Sequence, residues 1–295
     1  MKKYLAVAGL ITVTIIWGGG FVASDMALKS LRPFQIMTIR FLLATVLMGG
    51  ISLRELKGIT RQEILSGILM GAALFTGFAF QIVGLQYTTP SKNAFLTALN
   101  VVMVPFIAFV LLKKRIGAKS ILGAVMAVTG VGLLSLEDNL TLGPGDALTL
   151  VCAVGFAFQI FLTSESVKKC RAVVLNFIQM LTAVALSVVS LFLFQETHFA
   201  VTAQGWLSVL YLGVVSTTIC YLLQTACQQY VDETKAAIIL SMESVFGTFF
   251  SILILHEQVT PRMAAGCVMI LAAVIVSNLA DTQNSGNAVP TEKNP

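Results

Sequence analysis

Apolar runs close to the roughly 20 residues needed to cross the hydrocarbon of a bilayer recur along the whole sequence. They are Tyr4 to Ser24, Phe34 to Ser52, Ile64 to Tyr87, Asn93 to Leu112, Gly117 to Leu136, Ala147 to Val167, Val173 to Phe194, Trp206 to Tyr230, Ala236 to Leu255 and Met263 to Ala280. Short polar breaks separate them, so the pattern predicts ten membrane helices and leaves no room for a separate soluble catalytic domain. The break from Glu137 to Asp146 contains Gly143-Pro144-Gly145 and reads as the turn joining two halves. From Asp281 the chain is polar with no apolar period, and residues 281–295 are expected to form a disordered tail.

The pattern repeats. At a constant shift of 143 positions (230 − 87), Gln81, Gln86, Tyr87, Lys92, Ala94, Val102, Phe106, Leu112, Gly123 and Met126 meet Gln224, Gln229, Tyr230, Lys235, Ala237, Val245, Phe249, Leu255, Gly266 and Met269. Earlier in each half the shift is 139 (171 − 32), bringing Lys29, Arg32, Ile39, Leu42 and Ala44 onto Lys168, Arg171, Ile178, Leu181 and Ala183. The second half therefore carries four extra residues near Glu196 to Gln204. Two copies of an odd number of spans must face opposite ways across the membrane. The expectation is an all-α integral membrane protein of ten transmembrane helices arranged as a 5+5 inverted repeat, with residues 1–140 as the first unit and 141–280 as the second.

Composition agrees with a membrane protein. Hydrophobic residues make up 57% of the chain and charged ones 11%, with a mean hydropathy of +0.88, against about 25% charged in soluble domains. The net charge of +5 is no sign of nucleic acid, because the basic residues sort by loop. With a cytoplasmic amino terminus, Lys2, Lys3, Arg54, Lys57, Arg61, Lys113, Lys114, Arg115, Lys119, Lys168, Lys169, Arg171, Lys235 and Lys293 fall inside, and only Lys29, Arg32, Lys92 and Arg262 outside. The positive-inside rule then places both termini in the cytoplasm and the chain in the cell (inner) membrane. Met1-Lys2-Lys3 ahead of a run ending Val22-Ala23-Ser24-Asp25 has the outline of a cleavable leader. The duplication argues for a retained helix, since cleavage would remove the partner of Ala147 to Val167. Cys152, Cys170, Cys220, Cys227 and Cys267 show no CxxC spacing and read as small packing residues.

Ionisable side chains inside spans are expensive, and two stand out. Arg40 lies six residues inside its helix from the outer end, and Glu243 seven residues from the inner end of its own. Their repeat mates are Gln179 and Asn100. Arg40 with Asn100, and Glu243 with Gln179, would form two polar tiers flanking the midplane, with Gln81 and Gln224 farther out and Gln159 nearer the centre. Such a set can hold a zwitterion, Arg40 facing a carboxylate and Glu243 an ammonium, or it can be structural, bonding neighbouring helices. Glu243 could also load a proton. Trp17, Gly20 and Phe156 are candidates for lining a cavity, against the plainer readings of packing and lipid contact. Glu257, beside His256, reads as a solvated helix end or a gate contact. No phosphate-binding glycine loop, zinc helix or other enzyme motif occurs, and no cofactor or metal is implied.

Ile16-Trp17-Gly18-Gly19-Gly20-Phe21-Val22-Ala23, then Pro33 and Thr38-Ile39-Arg40-Phe41-Leu42-Leu43-Ala44, resemble the opening of EamA-type members of the drug/metabolite transporter superfamily. Glu243-Ser244-Val245-Phe246 and His256-Glu257-Gln258-Val259-Thr260 resemble the signature around the ninth helix of the same family. One departure is Lys113-Lys114-Arg115, where the family favours an acid equivalent to Glu257. The resemblance spans the chain and implies a non-enzymatic secondary transporter that exports small organic metabolites, such as amino acids, by alternating access. An importer or exchanger of sugars or nucleotide-derived solutes remains open at this point, as do a membrane-embedded enzyme and a structural helix bundle. The partners implied are a small-molecule metabolite and the lipid bilayer, with no nucleic acid; monomer and homodimer are both compatible with the sequence.

Overall fold

The computed structural model describes residues 2–113, 116–135, 142–228, 230 and 239–279, and every element of more than one residue among them is helical. The first half runs α1 (Lys2–Leu28), α2 (Pro33–Ser52), α3 (Arg61–Leu85), α4 (Pro90–Thr97), α5 (Asn100–Leu112) and α6 (Ala118–Ser135). The second runs α7 (Pro144–Ser166), α8 (Ala172–Leu193), α9 (Ala203–Leu210), a π-helical segment (Tyr211–Ile219), α10 (Cys220–Gln228), α11 (Glu243–Phe250), a second π-helical segment (Ser251–Leu255) and α12 (Pro261–Leu279). Seven stretches are long and apolar enough to cross a membrane, with α4 and α5 counted as one, and α9 through Cys227 as another. Three shorter apolar helices, Ala118–Leu134, Ile239–Leu255 and Pro261–Val276, bring the set to the ten expected from the sequence. Gln229, Lys235 and Ala237 of the duplication, the Lys114-Arg115 pair, residues 136–141 and the tail from Asp281 lie outside the described residues.

Local chemistry sets the helix ends. Proline opens α2, α4 and α7, where its missing N–H has no helical partner to lose. Thr60 caps α3 by accepting the Glu63 N–H at 3.2 Å, and Glu63 returns the bond to Thr60 N–H at 2.9 Å. Lys113 and His256 end their helices in the left-handed region, at φ of 56° and 55°. They are the same position of the two halves (256 − 113 = 143).

Two spans are interrupted where no glycine or proline announces it. Between α4 and α5, Leu99 N–H bonds back to Leu96 O and Val101 N–H to Ala98 O, three residues rather than four. Before α11, Met242 N–H does the same with Ile239 O. These tightened turns sit at one repeat position (242 − 99 = 143), and the residues that follow are Asn100 and Glu243.

Packing crosses from half to half. α1 lies against α11 and against the α9 to α10 span, while α7 lies against α4 and α5 and against α3. α2 packs on the Tyr211–Ile219 segment, and α8 on α3. The pairs α2 with α8, α4 with α11, and α6 with α12 complete the bundle. Exchanging the halves therefore reproduces the set of pairings. Several crossings are tight enough to demand glycine. A Cβ on Gly18 would lie 2.8 Å from Gly247 N, and one on Gly155 would lie 2.7 Å from Gly77 N.

Candidate functional site: a charged and aromatic centre

Arg40 is a 3% exposed residue of α2. Its Nε donates to Thr217 Oγ1 at 2.6 Å, Nη2 reaches Ser216 Oγ at 3.5 Å, and the guanidinium lies over the Phe78 ring at 3.9 Å. No acid among the described residues pairs with it. A buried guanidinium carries five donors, so two hydroxyls and a ring face leave it short of partners. Phe78 is itself held edge-on by Phe41 at 5.5 Å and Phe156 at 4.9 Å, which fixes the surface on which Arg40 rests.

The π-helical segment supplies the hydroxyls. Thr217 Oγ1 and Thr218 Oγ1 each donate to a carbonyl five residues back, Leu212 O and Gly213 O, both at 2.8 Å. This leaves Thr217 Oγ1 able to accept from Arg40. The wider turn also leaves Ser216 O open to Trp17 Nε1 at 2.8 Å, and Tyr211 Oη returns a bond to Ile16 O at 2.7 Å. Insertions of this kind collect at functional positions. Trp17 meets Tyr221 at 5.5 Å. The pair Trp17 and Tyr221 is the repeat counterpart of Phe156 and Phe78 (156 − 17 = 139; 221 − 78 = 143), so each half brings one aromatic pair to the centre.

Glu243 opens α11 and is half-buried, and among the described residues its carboxylate receives no hydrogen bond. Its charge bears on Cys152, Cys220 and Tyr221. The Arg40 charge bears on Cys220, Tyr221 and Tyr211. Both charges bear on Tyr221 and Cys220.

Of the five amides, Gln159 and Gln179 bond each other and the other three stand apart. Gln159 Nε2 donates to Gln179 Oε1 at 2.9 Å and to Thr163 Oγ1 at 3.0 Å, while the fully buried Gln179 Nε2 has no partner. Gln81 Nε2 donates to Thr97 Oγ1 at 3.2 Å, and Thr97 touches Cys152 Sγ at 3.6 Å, the cysteine that feels Glu243. Asn100 Oδ1 is buried without a partner. Gln224 is buried, and among the described residues its side chain makes no hydrogen bond. Gly20 faces the hydroxyls, since a Cβ there would meet Ser216 Oγ at 3.1 Å. Of the residues expected from the sequence, Arg40, Trp17, Gly20 and Phe156 thus converge on Ser216, Thr217, Phe78 and Tyr221; Gln81 reaches Cys152 through Thr97; Gln159 and Gln179 form their own pair. Four of the five cysteines are buried and all are free.

Polar ties join the halves at both ends of the bundle. At the end where α1 starts, Arg171 grips Glu63 with Nε at 2.7 Å and Nη2 at 2.9 Å, and its Nη1 donates to Glu55 O at 2.7 Å. A shallow depression of about 400 Å³ lies over this tie, lined by Gly58, Thr60, Glu63 and residues 167–171; neither Arg40 nor Glu243 lines it. At the other end, Glu196 accepts Phe34 N–H at 2.8 Å, and Gln35 Nε2 donates to Glu196 O at 2.8 Å and His198 O at 2.7 Å. At that end too, Lys92 pairs with Asp146 at 3.6 Å. Glu257 accepts from Ser91 N–H at 3.2 Å, Ser91 Oγ at 2.7 Å and Ser251 Oγ. It therefore ties α4 to the span before it instead of standing in solvent.

Sequence reasoning missed Phe78, Tyr211, Ser216, Thr217 and Tyr221. The signals available were three consecutive hydroxyls, Ser216-Thr217-Thr218, in an apolar run, and the register that places Tyr221 on Phe78.

A profile of the EamA-like transporter family matches residues 4–136 and again 143–279. A protein of Archaeoglobus fulgidus named an uncharacterized transporter is 33% identical over 279 residues, covering 95% of this chain and 87% of that one. The uncharacterized transporter YoaV of Bacillus subtilis is 22% identical over 277 residues, covering 91% and 95%. One solved crystal structure superposes with a TM-score of 0.69 at 18% identity, over 95% of this chain and 99% of that one, a likeness of fold. With helices of this number and apolarity and a profile whose two matches together cover nearly its whole length, the chain is a multi-pass membrane protein and belongs to the EamA-like transporter family.

Proposed function

We propose that the chain is a secondary active exporter of small organic metabolites, built as a 5+5 inverted repeat that alternates access to the centre held by Arg40 and Glu243. The units are residues 1–140 and 141–280, both termini are cytoplasmic, and the protein sits in the cell membrane and performs no chemistry on its cargo. The observation that carries this reading is Arg40, a buried cation that no described acid neutralises. A permanently unpaired buried charge costs several kcal/mol, a cost that a bound anionic group would offset. The repeated pairings of the halves support the inverted repeat, and the aromatic pair from each half supports a site on their common boundary. The sorting of basic residues supports the orientation and the direction of the amino terminus.

The test is counterflow in proteoliposomes loaded with a mixed pool of amino acids and metabolites, comparing wild type with Arg40→Ala and Glu243→Gln at matched folding. Exchange lost in both folded variants supports the site and identifies the cargo. Exchange indifferent to both removes these residues from the transport cycle.

A further inference from the structure

Whatever binds between Arg40 and Glu243 must reach both, and the helices themselves measure the gap. Ser216, at the level of the Arg40 guanidinium, lies beside Gly20 of α1, and Gly247 of α11 lies beside Gly18. α1 and the span containing α11 run the same way, since Gly18 meets Gly247 while the Asp25 and Glu257 charges interact farther along. From Gly20 to Gly18 is two residues, and from Gly247 back to Glu243 is four more in the same direction. At 1.5 Å per residue the Glu243 backbone lies about 9 Å along the bundle from the Arg40 head group.

The ground between the two charges is apolar and weakly polar. Trp17, one residue beyond Gly18 on α1, lies at an intermediate level, and its ring meets Tyr221 at 5.5 Å. Each charge lacks a counter-ion among the described residues, and each is too far from the other to supply one. An α-amino acid carries its ammonium and carboxylate on one carbon, so it satisfies one of the two and leaves the other bare.

We propose that the site is built for a charge-separated zwitterion, an ω-amino carboxylic acid or a close relative. Its carboxylate would lie on Arg40, its ammonium on Glu243, and its methylene chain along Trp17 and Tyr221. Four to six methylenes span about 6–9 Å between the charged ends at standard bond lengths. This rests on the central-site reading above and deepens it by naming the cargo class.

The experiment compares two isomers, 6-aminohexanoate and norleucine, on the full-length protein in detergent and in proteoliposomes, reading ligand-induced thermal stabilisation and counterflow. The 6-amino isomer is expected to half-saturate at about tenfold lower concentration, equivalent to about 1.4 kcal/mol. Arg40→Gln and Glu243→Gln should each abolish that preference. The conservative Glu243→Asp, which retracts the carboxylate by one methylene, should move the optimum to the longer 7-aminoheptanoate while keeping the fold. Norleucine binding as well or better, and lost in both Gln variants, overturns the spacing argument and leaves the central site standing. Binding of 6-aminohexanoate that is unchanged in all three variants overturns the central site itself. No response to either isomer overturns the proposed cargo class.

Discussion

The two end ties occupy equivalent places and are built from different chemistry. Where α8 begins, Arg171 reaches the loop after α2 and the first turn of α3; where α2 begins, Phe34 and Gln35 reach the loop after α8. The first tie is a two-pronged ion pair, with Glu63 buried and Arg171 38% exposed, and Glu63 holds the guanidinium pKa above its usual value. The second is a single carboxylate buried against backbone N–H groups, and burial pushes its pKa up despite those bonds. A duplicated scaffold has kept the location of a contact while its electrostatics diverged. The two faces of the protein therefore respond differently to pH and salt.

The comparison breaks most readily at the ion pair. Arg171→Ala strands Glu63 at 4% exposure; the loss of a charge-assisted fork should lower the melting temperature by a few degrees. Thermal unfolding of the purified protein reads this, with thiol labelling of Cys170 beside the tie as a local probe. An unchanged transition together with unchanged labelling would remove the tie from any role in holding that end shut.

Next in size is the contrast between the aromatic pairs. Trp17→Phe deletes the bond to Ser216 O and should cost about 1 kcal/mol, whereas Phe156 carries no such bond to lose. A Trp17→Phe protein that transports and melts like wild type would show the polar handle to be idle.

Glu196 gives the pH prediction. Its folded pKa is raised above 4.5, so the folded protein binds more protons than the unfolded one in the window above that value. Stability from this tie is present below the unfolded pKa and falls as pH rises through the folded one. Glu196→Gln should flatten that slope and change stability near neutral pH by less than about 1 kcal/mol; a slope that persists in the variant assigns the dependence elsewhere. The smallest effect is ionic. Added salt should weaken the Arg171 tie more than the Glu196 tie, on which the Arg32 charge bears, a difference visible in double-variant melts at low and high salt.

Much of this was legible in the sequence because a bilayer imposes a simple code. Apolar runs located all ten helices, and two charges in apolar surroundings singled out Arg40 and Glu243. The interruptions before Asn100 and Glu243 were not legible, since Ala98-Leu99 and Met242 are ordinary helix formers and the tightening shows only in which carbonyl is bonded. Phe78 is one of 19 phenylalanines, and only the guanidinium above it distinguishes it. Arg171 read as a loop charge that sets orientation, because nothing in a linear pattern brings it to Glu63, 108 positions away.

The crossed pairings bear on how the chain is made. The principal packing surfaces of α1, α2 and α3 are supplied by helices of the second half. Synthesis proceeds from the amino terminus, so the first spans enter the bilayer before their main partners exist. Each is stable there as an individual helix, and the assembled bundle waits for translation to finish. A message truncated after α6 would thus yield inserted helices without a core, a natural substrate for membrane quality control, and a premature stop anywhere before α12 should behave as a null allele.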